Sequence, residues 1–366
     1  MARRYLHRNA QELVHWYERY ISPLSLVAGF LADNYILLRR VDLWQTNALF
    51  FTYLAVAAIG IFVINLIEAG RIRWKWMVSM APLIPVIVQF SFGGLFSGYL
   101  SLYSRSAGFA ASWVFVLAVA ALLIGNERFT RLYVRFAFQM SLYFFVLFSF
   151  FIFFLPVVFS AIGPAMFIVS GFASLAVLAL FMRSMWLFIP EVVKRERTRV
   201  ARSVAVIFVV FNILYFLNLI PPLPLALKEA GVYHAVVRVG TDYHLTEEQE
   251  PWYAAIFPYS SVFHTSAGQD AYVYTAVFAP SGLATTIYHE WQRYDAASNT
   301  WMTVTTQNFP INGGRDGGYR GYTMKNDLAP GKWRVNVKTQ YGQLVGRVNF
   351  SVDDSAQTPA LTDVIR

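Results

Sequence analysis

FAFQMSLYFFVLFSFFIFFLPVVF, residues 136–159, contains no charged side chain. A run of that length matches the roughly 17 to 25 residues that an α-helix needs to cross about 30 Å of hydrocarbon. Reading outward from it, comparable apolar stretches lie at 21–38, 46–69, 77–101 and 110–125 before it, and at 164–182 and 204–220 after it. The expectation is an α-helical membrane bundle of seven transmembrane helices over residues 21–220. The first span is the least regular, because Asp33 and Asn34 interrupt it.

Orientation follows from the basic residues between the spans. Sixteen Lys and Arg fall on the N-terminal tail and the even-numbered loops, against three (Arg39, Arg40 and Arg105) on the opposite side. The positive-inside rule therefore puts the N-terminus in the cytoplasm, and seven crossings put the C-terminal part in the periplasm. Within residues 1–20, Leu6, Ala10, Leu13, Val14 and Tyr17 recur at helical spacing beside charged groups. This predicts an amphipathic helix on the cytoplasmic face of the bilayer.

Composition changes at Pro221, Pro222 and Pro224. From residue 228 onward eleven Lys and Arg face thirteen Asp and Glu, so the formal charge of +9 belongs to the helical half and carries no argument for nucleic acid. Residues 221–270 read as a proline exit and an aromatic juxtamembrane segment. Strands are predicted at 271–279, 285–294, 301–306, 319–324, 332–339 and 344–352, which together describe an all-β Ig-like sandwich over 271–354. In the fifth, Trp333, Val335 and Val337 alternate with Lys332, Arg334, Asn336 and Lys338, a strand with one dry and one wet face. Residues 355–366 read as a flexible tail. The chain has no cysteine, so neither a disulfide nor a thiolate metal site is available.

Several segments resemble a bacterial membrane-protein family, domain of unknown function 2914. The helical half contributes Gly29 and Phe30 with Asp33, Leu38 with Arg39 and Arg40, Asn126 with Glu127, the run from Ile220 to Leu225, and Tyr233 with His234. The β half contributes His289, Trp291, the run GGRDGGYR at 313–320, GKWRV at 331–335, and Gly346, Arg347 and Phe350. The resemblance implies a Gram-negative inner-membrane protein with an extracytoplasmic β-domain. It supplies no catalytic residues.

Candidate sites follow from chemistry. Asp33 is a carboxylate inside a span, either a transport site or a clamp for Arg39, Arg40 or Arg105 near the outer end. Glu127 is a second acidic group at a membrane boundary. Gly94 and Gly98 have the spacing that lets helices approach closely, while Gln89, Gln139, Asn212 and Asn218 serve either as interhelical links or as a cavity lining. The glycine run lacks the ending of a phosphate loop and is expected to be a turn; with Arg315, Tyr319 and Arg320 it is also a candidate site for an anionic glycan. His289 and Trp291 are either core residues or part of that site. His234, His244 and His264 are too scattered in sequence to propose a metal site.

Nothing in these residues calls for a cofactor or a metal, and no acid and base pair stands out as catalytic. The function expected is a non-enzymatic inner-membrane envelope protein whose periplasmic sandwich binds a partner protein or a glycan. The alternative is a transporter or lipid-handling protein with a polar intramembrane site.

Overall fold

The computed structural model describes residues 42–106, 109–126, 132, 135–221, 224–249, 261–265, 269–354 and 360–366, with side chains left undescribed over 104–112 and at 261. The expected surface helix (1–20) and first span (21–38) lie outside these residues. The chain divides into a helical unit and a β unit that starts at Pro224.

The helical unit comprises α1 (Trp44–Glu68), α2 (Lys75–Met80), a 3-10 turn (Ala81–Leu83), α3 (Ile84–Ser106), α4 (Phe109–Asn126), α5 (Phe136–Phe159), α6 (Pro164–Phe188) and α7 (Pro190–Phe216). Among the described residues five stretches are long and apolar enough to cross a membrane: α1, Lys75–Tyr103, α5, α6 and α7. The stretch in α4, Trp113–Asn126, is shorter.

The charge-free helix α5 is the hub, with 61% of its most apolar window buried. Aromatic rings fix its neighbours. Phe150 meets Phe50 of α1, Phe145 meets Phe96 of α3, and Phe148 lies 4.6 Å from Phe211 of α7 and 5.4 Å from Phe167 of α6. Such ring pairs add about 0.5–1.5 kcal/mol each beyond burial. Helices α6 and α7 form an antiparallel hairpin joined by Ile189 alone, in which Phe167 stacks on Tyr215 at 3.8 Å. Pro190 at the first helical position suits this abrupt restart.

The helix α7 departs from expectation by starting at Pro190 rather than near 204. Residues 194–202 look like a loop because they are charged, yet Lys, Arg and Glu are good helix formers and three turns of them extend the apolar helix.

The β unit has eleven described strands: β1 (Ala226–Tyr233), β2 (Ala235–Val239), β3 (Asp242–Glu248), β4 (Ser261–His264), β5 (Ala271–Phe278), β6 (Ala284–Asp295), β7 (Thr300–Asn312), β8 (Tyr319–Lys325), β9 (Gly331–Thr339), β10 (Leu344–Asp353) and β11 (Leu361–Ile365). All six expected strands are present. They belong to two sheets, ordered β1-β5-β8 and β4-β10-β9-β6-β7, which face each other across a core of Val273, Trp291, Trp333, Val335, Phe350 and their neighbours.

Three expectations need correction. Residues 221–270 are not only an exit segment, because β1 pairs with β5 and β4 pairs in parallel with β10, completing both sheets. The last residues are not simply a tail, because β11 pairs with β3. The fold is also more than a two-layer Ig-like sandwich: the third sheet, β11-β3-β2, shares a cluster of Tyr233, Val236, Tyr243 and Leu245 with Tyr274 of β5. Strand β5 is therefore covered on both faces, and its sequence AYVYTAVF lacks alternation for that reason.

Candidate functional site

Strand β6 organises the β unit because its two faces do different work. Inward, His289 and Trp291 are completely buried. The two ring nitrogens of His289 lie 3.0 Å from the Thr275 hydroxyl on β5 and 2.9 Å from the Thr323 hydroxyl on β8, and the Trp291 indole N–H donates to the same Thr323 oxygen at 3.0 Å. Trp291 to Thr323, Thr323 to His289 Nδ1 and His289 Nε2 to Thr275 is one ordering that gives each of the three contacts a single donor hydrogen. Burial pushes His289 down to about 3, so the ring is neutral. These two residues tie the facing sheets together, and no surface ligand reaches them.

The glycine run is the β7–β8 turn. Gly314 and Gly318 take φ of 106° and 88°, and a Cβ on Gly313 would fall 1.8 Å from the Pro280 carbonyl oxygen. The turn itself demands these glycines. Arg315 lies 5.9 Å from the Tyr319 ring, while Arg320 reaches the Thr241 carbonyl in the β2–β3 turn at 3.4 Å. The five sandwich residues singled out from the sequence thus do not converge: two are core, two share the turn and Arg320 points to another sheet.

The outward face of β6, continued by β9 and β10, carries an assembly that the sequence reading did not single out as a site. Glu290 pairs with Lys338 at 2.6 Å and accepts from Asn336 at 2.8 Å. Gln292 Oε1 accepts from Arg334 Nε at 2.7 Å, and Asn336 Oδ1 accepts from Arg347 Nε at 2.6 Å. The Arg334 guanidinium lies 4.2 Å from the centre of the Trp301 ring on β7. Asn336 sits opposite Arg347 in the β9–β10 ladder, so Arg334 and Arg347 are diagonal neighbours, roughly 7–8 Å apart at their Cα atoms.

Electrostatics distinguish this face. Burial lowers the pKa of both arginines; Arg347 lowers that of Arg334 further, and Glu290 partly offsets the effect in each. Glu290 itself is pushed up by desolvation but held below its ordinary value by hydrogen bonds from Lys338, Asn336 and Thr303. Four cations, Lys332, Arg334, Lys338 and Arg347, share the face with Glu290. Both arginine Nε groups are engaged, and among the described residues the Nη groups have no protein partner. The arrangement is chemically suited to an anion beside a ring.

On β4 and the neighbouring sheet, Glu248 joins two histidines that are far apart in sequence. Its oxygens lie 2.9 Å from His234 Nε2 and 2.7 Å from His264 Nδ1, closing a clasp over Phe263. His244 is not part of it.

In the helical unit the polar residues work in pairs. Asn65 donates to Gln139 at 2.6 Å between α1 and α5, and Asn126 donates to the Gln89 carbonyl at 3.0 Å between α4 and α3. Asn212 donates to its own helix at Phe208, and Asn218 takes a φ of 58° just past the end of α7. A Cβ on Gly94 would lie 2.6 Å from the Tyr53 ring, so this glycine admits α1. Asp33, Arg39, Arg40 and Glu127 lie outside the described residues, as does the side chain of Arg105.

The comparisons bear on the β unit. No curated protein matches the chain. A solved structure of the alkylpurine DNA glycosylase AlkC of Pseudomonas fluorescens, bound to DNA containing an abasic site analog, aligns with 77% of this chain and 82% of its own at 12% identity. Its TM-score is 0.19, so the likeness carries no argument. A family model described as a protein of unknown function (DUF2914) matches residues 284–352. That segment runs from β6 to β10 and contains the whole arginine face. Over these residues the chain is similar to the DUF2914 family, in agreement with the resemblance read from the sequence.

Proposed function

We propose that the chain is a non-enzymatic inner-membrane envelope protein with seven membrane spans and a cytoplasmic N-terminus, whose periplasmic β unit binds an anionic glycan on the outward face of β6, β9 and β10. The charge count between the apolar stretches supports the orientation. The observation that carries the binding reading is the pair of partly buried guanidiniums, Arg334 and Arg347, set among aromatic and amide side chains while Glu290 pairs with Lys338. A carboxylate or phosphate on a sugar relieves that repulsion, accepts from the free Nη groups and lies beside the Trp301 and Tyr294 rings.

The test is retention of the purified full chain on lipopolysaccharide and on cell-wall material. Arg334→Ala with Arg347→Ala abolishes retention, whereas Arg315→Ala with Arg320→Ala leaves it in place. Loss in the second variant and not the first moves the site to the glycine turn; retention by both removes glycan binding from this unit. A periplasm-active phosphatase fused after Arg366 is active and one fused after Arg73 is not, and the reverse pattern overturns the orientation.

A further inference from the structure

A cavity of about 1000 Å³ opens in the helical unit where the end of α1 meets the starts of α5 and α7. That size lies at the upper end of ordinary ligand pockets. Its polar lining includes three arginines, Arg135, Arg195 and Arg199, two carboxylates, Glu68 and Glu196, and the hydroxyls of Ser141 and Ser203, with apolar wall from Phe136 and Phe138. Glu196 holds Arg195 at 3.3 Å and Arg199 at 3.0 Å, and each of these arginines keeps more than two thirds of its side chain exposed. Among the described residues Arg135 has no acidic partner. With three arginines against two carboxylates, the cavity joins a rim of net positive charge to an apolar wall.

Its position selects the occupant. The helix ends that form it carry Arg71, Arg73, Arg135 and Lys194 to Arg202, the basic side of the chain. In the proposed orientation this is the cytoplasmic interface, where headgroups of anionic lipids lie at the depth of the arginines and acyl chains at the depth of the phenylalanines. We propose that the cavity binds a phospholipid with an anionic headgroup from the cytoplasmic leaflet, its phosphodiester held by Arg135, Arg195 and Arg199, its glycerol hydroxyls by Ser141 and Ser203, and one acyl chain against Phe136 and Phe138. The inference rests on the membrane reading and is independent of the glycan site.

The experiment is a lipid-exchange measurement on the full chain reconstituted in nanodiscs of phosphatidylcholine, titrated with phosphatidylglycerol and read by native mass spectrometry. The parent retains phosphatidylglycerol with at least about tenfold preference over phosphatidylcholine, and Arg135→Gln with Arg199→Gln removes most of it, because each cation near a headgroup contributes several-fold in binding. Ser203→Leu, which leaves every arginine in place, also weakens retention by filling the cavity. Arg71→Gln with Arg73→Gln, outside the cavity, changes nothing. Equal retention of both lipids by the parent, or loss in the Arg71 and Arg73 control to the same extent as in the cavity variants, overturns the proposal in favour of no site or of diffuse surface charge. Displacement of the lipid by millimolar inorganic phosphate overturns the lipid as the occupant and makes free phosphate the ligand. A chain released from membranes by alkaline carbonate refutes the membrane reading instead, so the two failures are told apart.

Discussion

Helix α5 and strand β6 each organise their unit, and they are built by opposite means. The helix α5 carries no charged side chain and its neighbours are fixed mainly by rings, with side-chain hydrogen bonds from Asn65 of α1 to Gln139 and from Tyr99 and Tyr103 of α3 to the Val146 and Ser149 carbonyls. Strand β6 is divided: His289 and Trp291 enter a dry core while Glu290 and Gln292 head a charged network one residue away. A helix surrounded by apolar neighbours has no wet face on which to mount a polar site. A strand with period two always has one, and the arginine face is mounted there.

Truncation breaks the comparison most severely. Residues 224–366 expressed alone should be soluble and unfold cooperatively, whereas 270–354, which omits β1, β4 and the third sheet, should not, because β5 and β10 each lose a partner strand and Ala230 and Val232 leave the core. Circular dichroism during urea unfolding distinguishes them: a sigmoid for the longer piece and no transition for the shorter. A cooperative transition in the shorter piece would show that the core between the two sheets stands without its edges.

A second, smaller effect follows from the buried histidine. His289 binds protons less readily in the folded state than the ordinary value of 6.5, so the unfolded chain takes up more protons as pH falls. Its contribution is complete above about pH 6.5 and is lost progressively down to about 3, at up to roughly 1.4 kcal/mol per pH unit. His289→Leu costs about 1–3 kcal/mol at pH 7 by stranding Thr275 and Thr323. It also flattens this part of the acid dependence, which unfolding of residues 224–366 at pH 7, 6, 5 and 4 measures. Parallel pH curves for parent and variant would mean that the ring takes up its proton in the fold as readily as in the unfolded chain.

The smallest effect belongs to the helical unit. Asn65→Leu removes the bond to Gln139 and should cost only about 1 kcal/mol, the usual size of a polar link among apolar helices. A loss of 4 kcal/mol or more in reversible denaturant titration would show that α1 depends on this bond rather than on its rings.

The legible parts of the sequence were those where one requirement acted alone. Residues 136–159 form a helix with the expected bounds because nothing polar interrupts them and Ser160 closes the helix at a φ of 49°. The strands after residue 271 were legible from alternation and glycine turns. Strands β1 to β4 were not, since sequences such as DYHLTEE in β3 satisfy a partly exposed sheet without a clear period. The third sheet left a sign in β5, where both parities are apolar. Arg334 was correctly placed on a wet face, but its relation to Arg347 depends on the register shift between Leu344 and Gly346, where a Cβ on Gly346 would lie 2.2 Å from the Leu227 side chain. The clasp of His234, Glu248 and His264 also required tertiary pairing.

The pairing of β11 with β3 has a consequence for how the unit is made. Residues 244–248 find their second partner strand only at 361–365, and 261–264 pair only with 350–353. A chain emerging from its amino end can form the β2–β3 hairpin at once, but that hairpin must wait for more than a hundred further residues before its second edge is covered. Assembly is therefore slow and late, and an unfinished chain presents bare strand edges to its neighbours for the whole of that interval.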